Sequence, residues 1–534
     1  MIRTSIAICA AAAFIAAPAL AQHEHEHGMV SFETSCDAST QDNFLDGVAL
    51  LHHMMYEQAA ARFDAVAKAD PTCAMAHWGL AMTNLHPLWA PPTPAEIEAG
   101  RAEAAKAREM GAPTDRETAF IAAIDAFFAP QDATFPQRLA AWEAGMKQVQ
   151  EIAPDDVEAN AFYALSQLAT APRDDRTFAK NAEVGARLQV LHRANPDHPG
   201  LFHYIIHAYD NPVLAAQAEE VARGYDKLAP NVPHALHMPS HIFVRLGMWG
   251  DVIAWNRRSA NAALEQPAAG GLITHHFAHA LDYLVYANLQ IGNDAAAQAA
   301  LDEMLGVQGP IQPTLSSAYG MAAARARVLL ERGDWDGAVA LTSRIPENFP
   351  WQDFPAAEAI LEFARGIGAA RTGDVAVAAA AAENLDALHA RLLEQNEAYW
   401  ATIVDAQRKS VRAWQAYAEQ KTDEALAMMK EAADLEDSVD KHPVTPSAVR
   451  PARELYGEML VMAGRPQEAI GAFDATLAIS PGRLNALYGA GSAAEKMNDH
   501  VLAMSYYQRL GAMLTDNPGR EDLVRVRGML AGGD

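Results

Sequence analysis

Residues 457–481, GEMLVMAGRPQEAIGAFDATLAISP, decide the fold. Gly457 is followed by Ala469, Phe473 and Pro481, and 34 residues further on Gly491, Ala503 and Tyr507 stand at the equivalents of the first three. A period of this length marks stacked helix–turn–helix units. Each residue type has a mechanical role. The small Gly and Ala let paired helices approach closely, the aromatic fills the space between units, and Pro ends the second helix.

Working outward, the same spacing opens the chain: Gly47, Ala59, Phe63 and Pro71, with Ala81 at the next equivalent of Gly47. In the middle, Pro196 and Pro230 stand 34 apart, and turns at Gly247, Gly292, Gly333 and Gly373 follow at intervals of 45, 41 and 40 residues. These residues match the tetratricopeptide repeat, with a small residue at position 8, Ala at 20, an aromatic at 24 and Pro at 32. The expected fold is all-α, a right-handed tetratricopeptide-repeat superhelix (an α-solenoid) from about residue 40 to about residue 530. Residues 91–129 fall out of register and read as an irregular helical insertion. The expected divisions are a signal peptide at 1–21, a flexible His-rich segment at 22–39, repeats at 40–260, degenerate repeats at 261–445 and a terminal pair at 446–534.

Composition agrees with a helical scaffold. The chain has 534 residues, is half apolar but only 7% aromatic, and is rich in alanine, which favours helix. A net charge of −26 argues against a nucleic-acid backbone or an anionic membrane surface as the main partner. Arg3, the short apolar run from Ile6 to Ala17 and the small-x-small triplet Ala19-Leu20-Ala21 read as a secretory signal cleaved after Ala21. A periplasmic or secreted protein without membrane insertion is expected. Cys9 leaves with that signal, so Cys36 and Cys73 remain to pair in an oxidising compartment. Closing a 37-residue separation is worth roughly 4 kcal/mol in the chain-entropy account.

Five segments carry a resemblance beyond the repeat: Cys73-Ala-Met-Ala-His-Trp-Gly79, Phe202-His-Tyr-Ile-Ile-His-Ala208, His237-Met-Pro-Ser-His241, His279-Ala-Leu-Asp-Tyr283 and Lys441-His-Pro-Val-Thr-Pro446. With them the chain resembles a family of secreted bacterial tetratricopeptide-repeat proteins. The resemblance spans nearly all of the chain beyond residue 21 and implies the solenoid fold, but it implies no chemistry. Function must therefore come from the residues.

Counting from Pro196 and from Pro230 places His203 and His237 at repeat position 5, and His207 and His241 at position 9. Consecutive repeats thus carry His-x-x-x-His at positions that face the concave groove. An i, i+4 spacing puts two imidazoles on one helical face, where they can share a metal. The next repeat adds His279 at position 2, Asp282 at position 5 and Tyr286 at position 9, while His234 holds position 2 of the unit before. The candidate site is one ion on His203, His207, His237 and His241, with His279 and Asp282 as outer ligands or orienting partners. Zinc, copper or nickel suits such a nitrogen-rich set.

A second reading makes the groove a surface for a protein or peptide partner, with His234, Arg245 and Tyr286 contributing and Arg257 near by. A third treats the histidines as hydrogen-bonded structure. An enzyme would need the metal with an open position, Asp282 or Glu219 as base and Tyr204 or Tyr286 as acid. No phosphate loop, nucleophile elbow or dinucleotide turn is present; Gly489-Ala-Gly491 reads as helix-packing glycine. His52 and His86, 34 residues apart, lack an i, i+4 partner and read as packing, several repeats from the main site. His23-Glu24-His25-Glu26-His27 matches a zinc-protease signature but stands on a terminal tail, away from any helix that could present it.

Overall fold

A computed structural model describes residues 27–516 and 518–531. The signal peptide at 1–21 and most of the histidine tail lie outside the described residues. Among them the chain forms 26 α-helices and a few short 3-10 turns, with two isolated β-bridges and no strand. The fold is an all-α solenoid of tetratricopeptide type.

The repeat residues act as their types predict. The Phe473 ring wedges between successive first helices: a Cβ added at Gly457 would lie 2.8 Å from it, and one at Gly489 would lie 2.4 Å away. Phe63 does the same between Gly47 and Gly79, and Tyr507 packs on Gly491. The close approach to the preceding aromatic thus falls on Gly79 and Gly489, two residues before the positions that the 34-residue period singles out.

Two expectations need correction. Residues 91–129 contain two regular helices, Pro94–Met110 and Asp115–Phe128, with side-chain caps at Thr93 and Thr114. Residues 27–39 are pinned, not flexible. Phe32 is buried among Phe44, Trp78 and Phe120, and the Met29 amide donates to the Asp197 carbonyl. Cys36 and Cys73 are joined, tying this segment to the start of helix Ala74–Met82.

The solenoid closes on itself. Helices Pro199–Tyr209, Pro239–Leu246, His275–Gln290 and Leu315–Leu330 stand along its inner side. Residues 438–451, the connection between helices Thr422–Glu436 and Ala452–Met462, run past all four. Lys441 binds Asp210 at 2.7 Å, Asp440 binds Arg245 at 2.7 Å, Tyr283 donates to the Pro443 carbonyl, and Arg327 donates to the carbonyls of Ser447 and Ala448. The C-terminal repeats then clasp the middle of the chain: Trp249 donates to the Gly482 carbonyl, and the Gln290 side chain accepts from the Leu484 amide. Buried Arg483 bridges Glu331 and Glu454 at 2.6 and 2.8 Å.

Candidate metal centre

The two His-x-x-x-His pairs sit where the helices are most deeply buried. Every residue of helix Pro199–Tyr209 is buried, and it presents His203 and His207 one turn apart. The second pair spans a helix interruption. Pro239 has no N–H, so the backbone breaks between helices Pro233–His237 and Pro239–Leu246. The His241 amide bonds the Met238 carbonyl instead of that of His237, and the Ser240 hydroxyl takes over the His237 carbonyl at 2.5 Å. The Ser240 hydroxyl thus keeps the His237 carbonyl satisfied across the break.

Hydrogen bonds fix which nitrogen of each ring carries hydrogen. His237 Nδ1 lies 2.7 Å from the Asn256 side-chain oxygen, whose own NH2 donates to the Val252 carbonyl. His241 Nδ1 lies 2.9 Å from an Asp210 carboxylate oxygen. These oxygens only accept, so both rings donate from Nδ1 and keep a bare lone pair on Nε2. The two Nε2 atoms nonetheless stand 3.0 Å apart. His279 completes the group, with one nitrogen from each ring within 4.8 Å of the others and its Nδ1 unpartnered. Burial pushes the His237 and His279 rings well below the usual imidazole pKa; it also lowers His241, despite the opposing pull of Asp210. Lys441 and Arg245 in turn hold the Asp210 carboxyl well below the usual carboxylate range, against its burial.

Sequence spacing placed four histidines around one point. The structure instead divides them into His203, His207 and His234 on one side and His237, His241 and His279 on the other. The sets are neighbours: the rings of His207 and His241 lie 5.8 Å apart, and those of His234 and His237 lie 6.1 Å apart. A cavity of about 840 Å3 opens beside them, lined by His207, His234, His241, His276 and His279 together with Trp89 and Tyr56.

Several expected participants stand elsewhere. Asp282 turns from the histidines to pair with Arg327 at 3.1 Å, both fully buried, and that guanidinium offsets the carboxylate's charge. Tyr286 is buried between Arg327 and Arg483. Arg245 is spent on Asp210 and Asp440, so neither it nor Tyr286 faces an open groove. Residues 438–451 occupy that face. Tyr204 donates to His52, and Glu219 pairs with Arg223 at the surface.

His52 and His86 are not remote. The His52 carbonyl accepts from His203 Nδ1 at 2.6 Å, and His86 lines the same cavity as His207. His52 and His198 both donate to the buried carboxylate of Glu158, at 2.7 and 3.0 Å, and their remaining nitrogens accept from Tyr204 and the Leu201 amide. That group is satisfied and structural. His27, the one residue of the His23–His27 run among the described residues, binds Asp46 at 2.6 Å. Asn256 and Asp210 were not singled out from sequence. Asp210 follows the quoted Phe202–Ala208 segment by two residues, which was the available signal; Asn256, on the following helix, left none.

No known family model matches the chain, and no curated protein matches it significantly. Among solved structures it is similar to a chain of the APC/C hetero-tetramer Cut9-Hcn1, at 11% identity over 94% of this chain and 78% of that one, TM-score 0.35. It is also similar to the human IFIT1 dimer with PPP-AAAA, at 11% identity over 89% and 91%, TM-score 0.38. Yeast Tom70 matches at 9% identity over 93% and 95%, TM-score 0.28. Among the described residues no helix is long and apolar enough to cross a membrane.

Proposed function

We propose that the protein is an exported tetratricopeptide-repeat scaffold that holds a transition-metal ion on His237, His241 and His279. One observation carries the reading: Nε2 of His237 and Nε2 of His241 face each other at 3.0 Å while both rings commit their hydrogen to an oxygen acceptor. Two neutral rings so fixed oppose lone pair to lone pair. A shared proton would require an imidazolium, which burial disfavours. A cation bound by both relieves the conflict, and the contact from His241 to Asp210 is the carboxylate–histidine arrangement that orients metal ligands. The all-nitrogen set suits zinc or copper.

Metal chemistry on a small molecule is a second reading, supported by the cavity of about 840 Å3 beside the rings. It loses its expected acids and bases, since Asp282, Glu219, Tyr204 and Tyr286 all lie away from that cavity, and would rest on metal-bound water with the carboxylates and Tyr56 that line it. A peptide partner in the concave groove has to displace residues 438–451 first.

The test is elemental analysis of untagged protein together with melting curves with and without chelator. The expected result is bound ion and a chelator-induced fall in Tm that shrinks in His241→Asn. Absence of ion in the purified protein, with a melting curve indifferent to both chelator and added zinc or copper, would sink the metal reading.

A further inference from the structure

We infer that the histidine wall binds a second transition-metal ion, zinc or copper, on His203, His207 and His234. This extends the reading above from one centre to two neighbouring ones. His203 donates from Nδ1 to the His52 carbonyl at 2.6 Å, so its Nε2 carries a lone pair. His207 Nε2 stands 3.1 Å from it. His234, on the short helix Pro233–His237, is only 2% exposed, yet neither ring nitrogen has a hydrogen-bond partner. A buried imidazole with two idle polar atoms is anomalous in a chain that satisfies His52, His53 and His198 so fully. Its ring centre is 5.0 Å from that of His203, and one nitrogen from each of the three rings falls within 4.8 Å of the others.

The two sets differ in one respect that orders their filling. His237 and His241 both have Nδ1 committed, so no hydrogen is available between them. His207 has no such anchor, and its Nε2 can hold hydrogen and donate to His203 when no ion is present. An ion on the second set has to orient two unanchored rings, His207 and His234, whereas the first meets bare nitrogens on His237 and His241 and has only His279 to orient. Binding in two steps follows, the ion on His203, His207 and His234 being the weaker by about tenfold or more, the scale set by an unoriented ligand ring.

The experiment is titration of untagged, metal-free full-length protein with cobalt(II) as the probe, following visible absorption and calorimetry. Two equivalents in two steps are expected for the wild type. His234→Asn removes a ring without hydrogen-bond partners, and it should keep only the tighter step at unchanged affinity. His241→Asn should lose the tighter step. One equivalent in the wild type that His234→Asn leaves unaltered overturns the second site while the proposed function stands. One equivalent lost in both variants means a single shared ion, and none in the wild type defeats both. Should either variant fail to fold by circular dichroism, the wild-type stoichiometry of two or one still decides.

Discussion

Asn256 illustrates how much of the candidate centre is set by residues that touch no ion. It is fully buried, donates to Val252 and accepts from His237, and by doing so turns the lone pair of Nε2 toward His241. Asn256→Ala frees the tautomer and should weaken metal affinity about 10–100-fold, read by competition with a chromophoric chelator, with helicity unchanged. Asp210→Asn is expected to behave differently. It leaves Lys441 and Arg245 buried beside a neutral amide, and the loss of stability should be on the order of 3–5 kcal/mol by denaturant titration. The histidines themselves were legible from repeat position alone, because an i, i+4 pair on a helix must share a face. Their division into two sets was not, because it depends on the break at Pro239 and on acceptors brought in from other helices.

At the scale of elements, the 34-residue period was enough to identify the solenoid because each marked residue does one steric job. Phe473 needs a bare backbone on both sides, so Gly489→Ala is expected to cost about 1–3 kcal/mol, seen as a lower Tm. The corresponding change at Gly464, a turn glycine with positive φ and open space around it, tests backbone strain instead of packing. The disulfide was legible from cysteine arithmetic, and opening it in Cys73→Ala should cost roughly 4 kcal/mol by the loop-closure account. What the period could not reveal was the course of residues 438–451. They belong to no repeat, and their route past four inner helices is dictated by buried ion pairs such as Arg245 with Asp440, between partners almost 200 residues apart.

At the scale of the whole molecule, burial makes the histidines a source of pH sensitivity. Rings of His53, His207, His234, His237, His276, His279 and His442 are held well below the ordinary imidazole value, and His203 is lowered to about 3, desolvation being the leading cause in each. Unfolded, each would titrate near about 6.5. Between the two values the unfolded chain binds more protons, so the stabilising difference is whole above pH 6.5 and shrinks as pH falls below it. Asp282, raised to about 6 by burial, and Glu436, raised to about 8, act in the opposite sense but are outnumbered. The metal-free protein is therefore expected to lose Tm steadily from pH 7 to pH 5. Bound ion should stay in place below pH 6, where free imidazole would already have been protonated. The clasp between the middle and the C-terminal repeats has a mechanical consequence. An open array of helical hairpins is a soft spring, each joint yielding to a small pull independently of the next. Here Trp249 is tied to Gly482 and Gln290 to Leu484, so tension along the coil is short-circuited across the ring. Stretched from its termini, the protein should resist until those chords rupture and then lengthen abruptly, a latch in place of a spring.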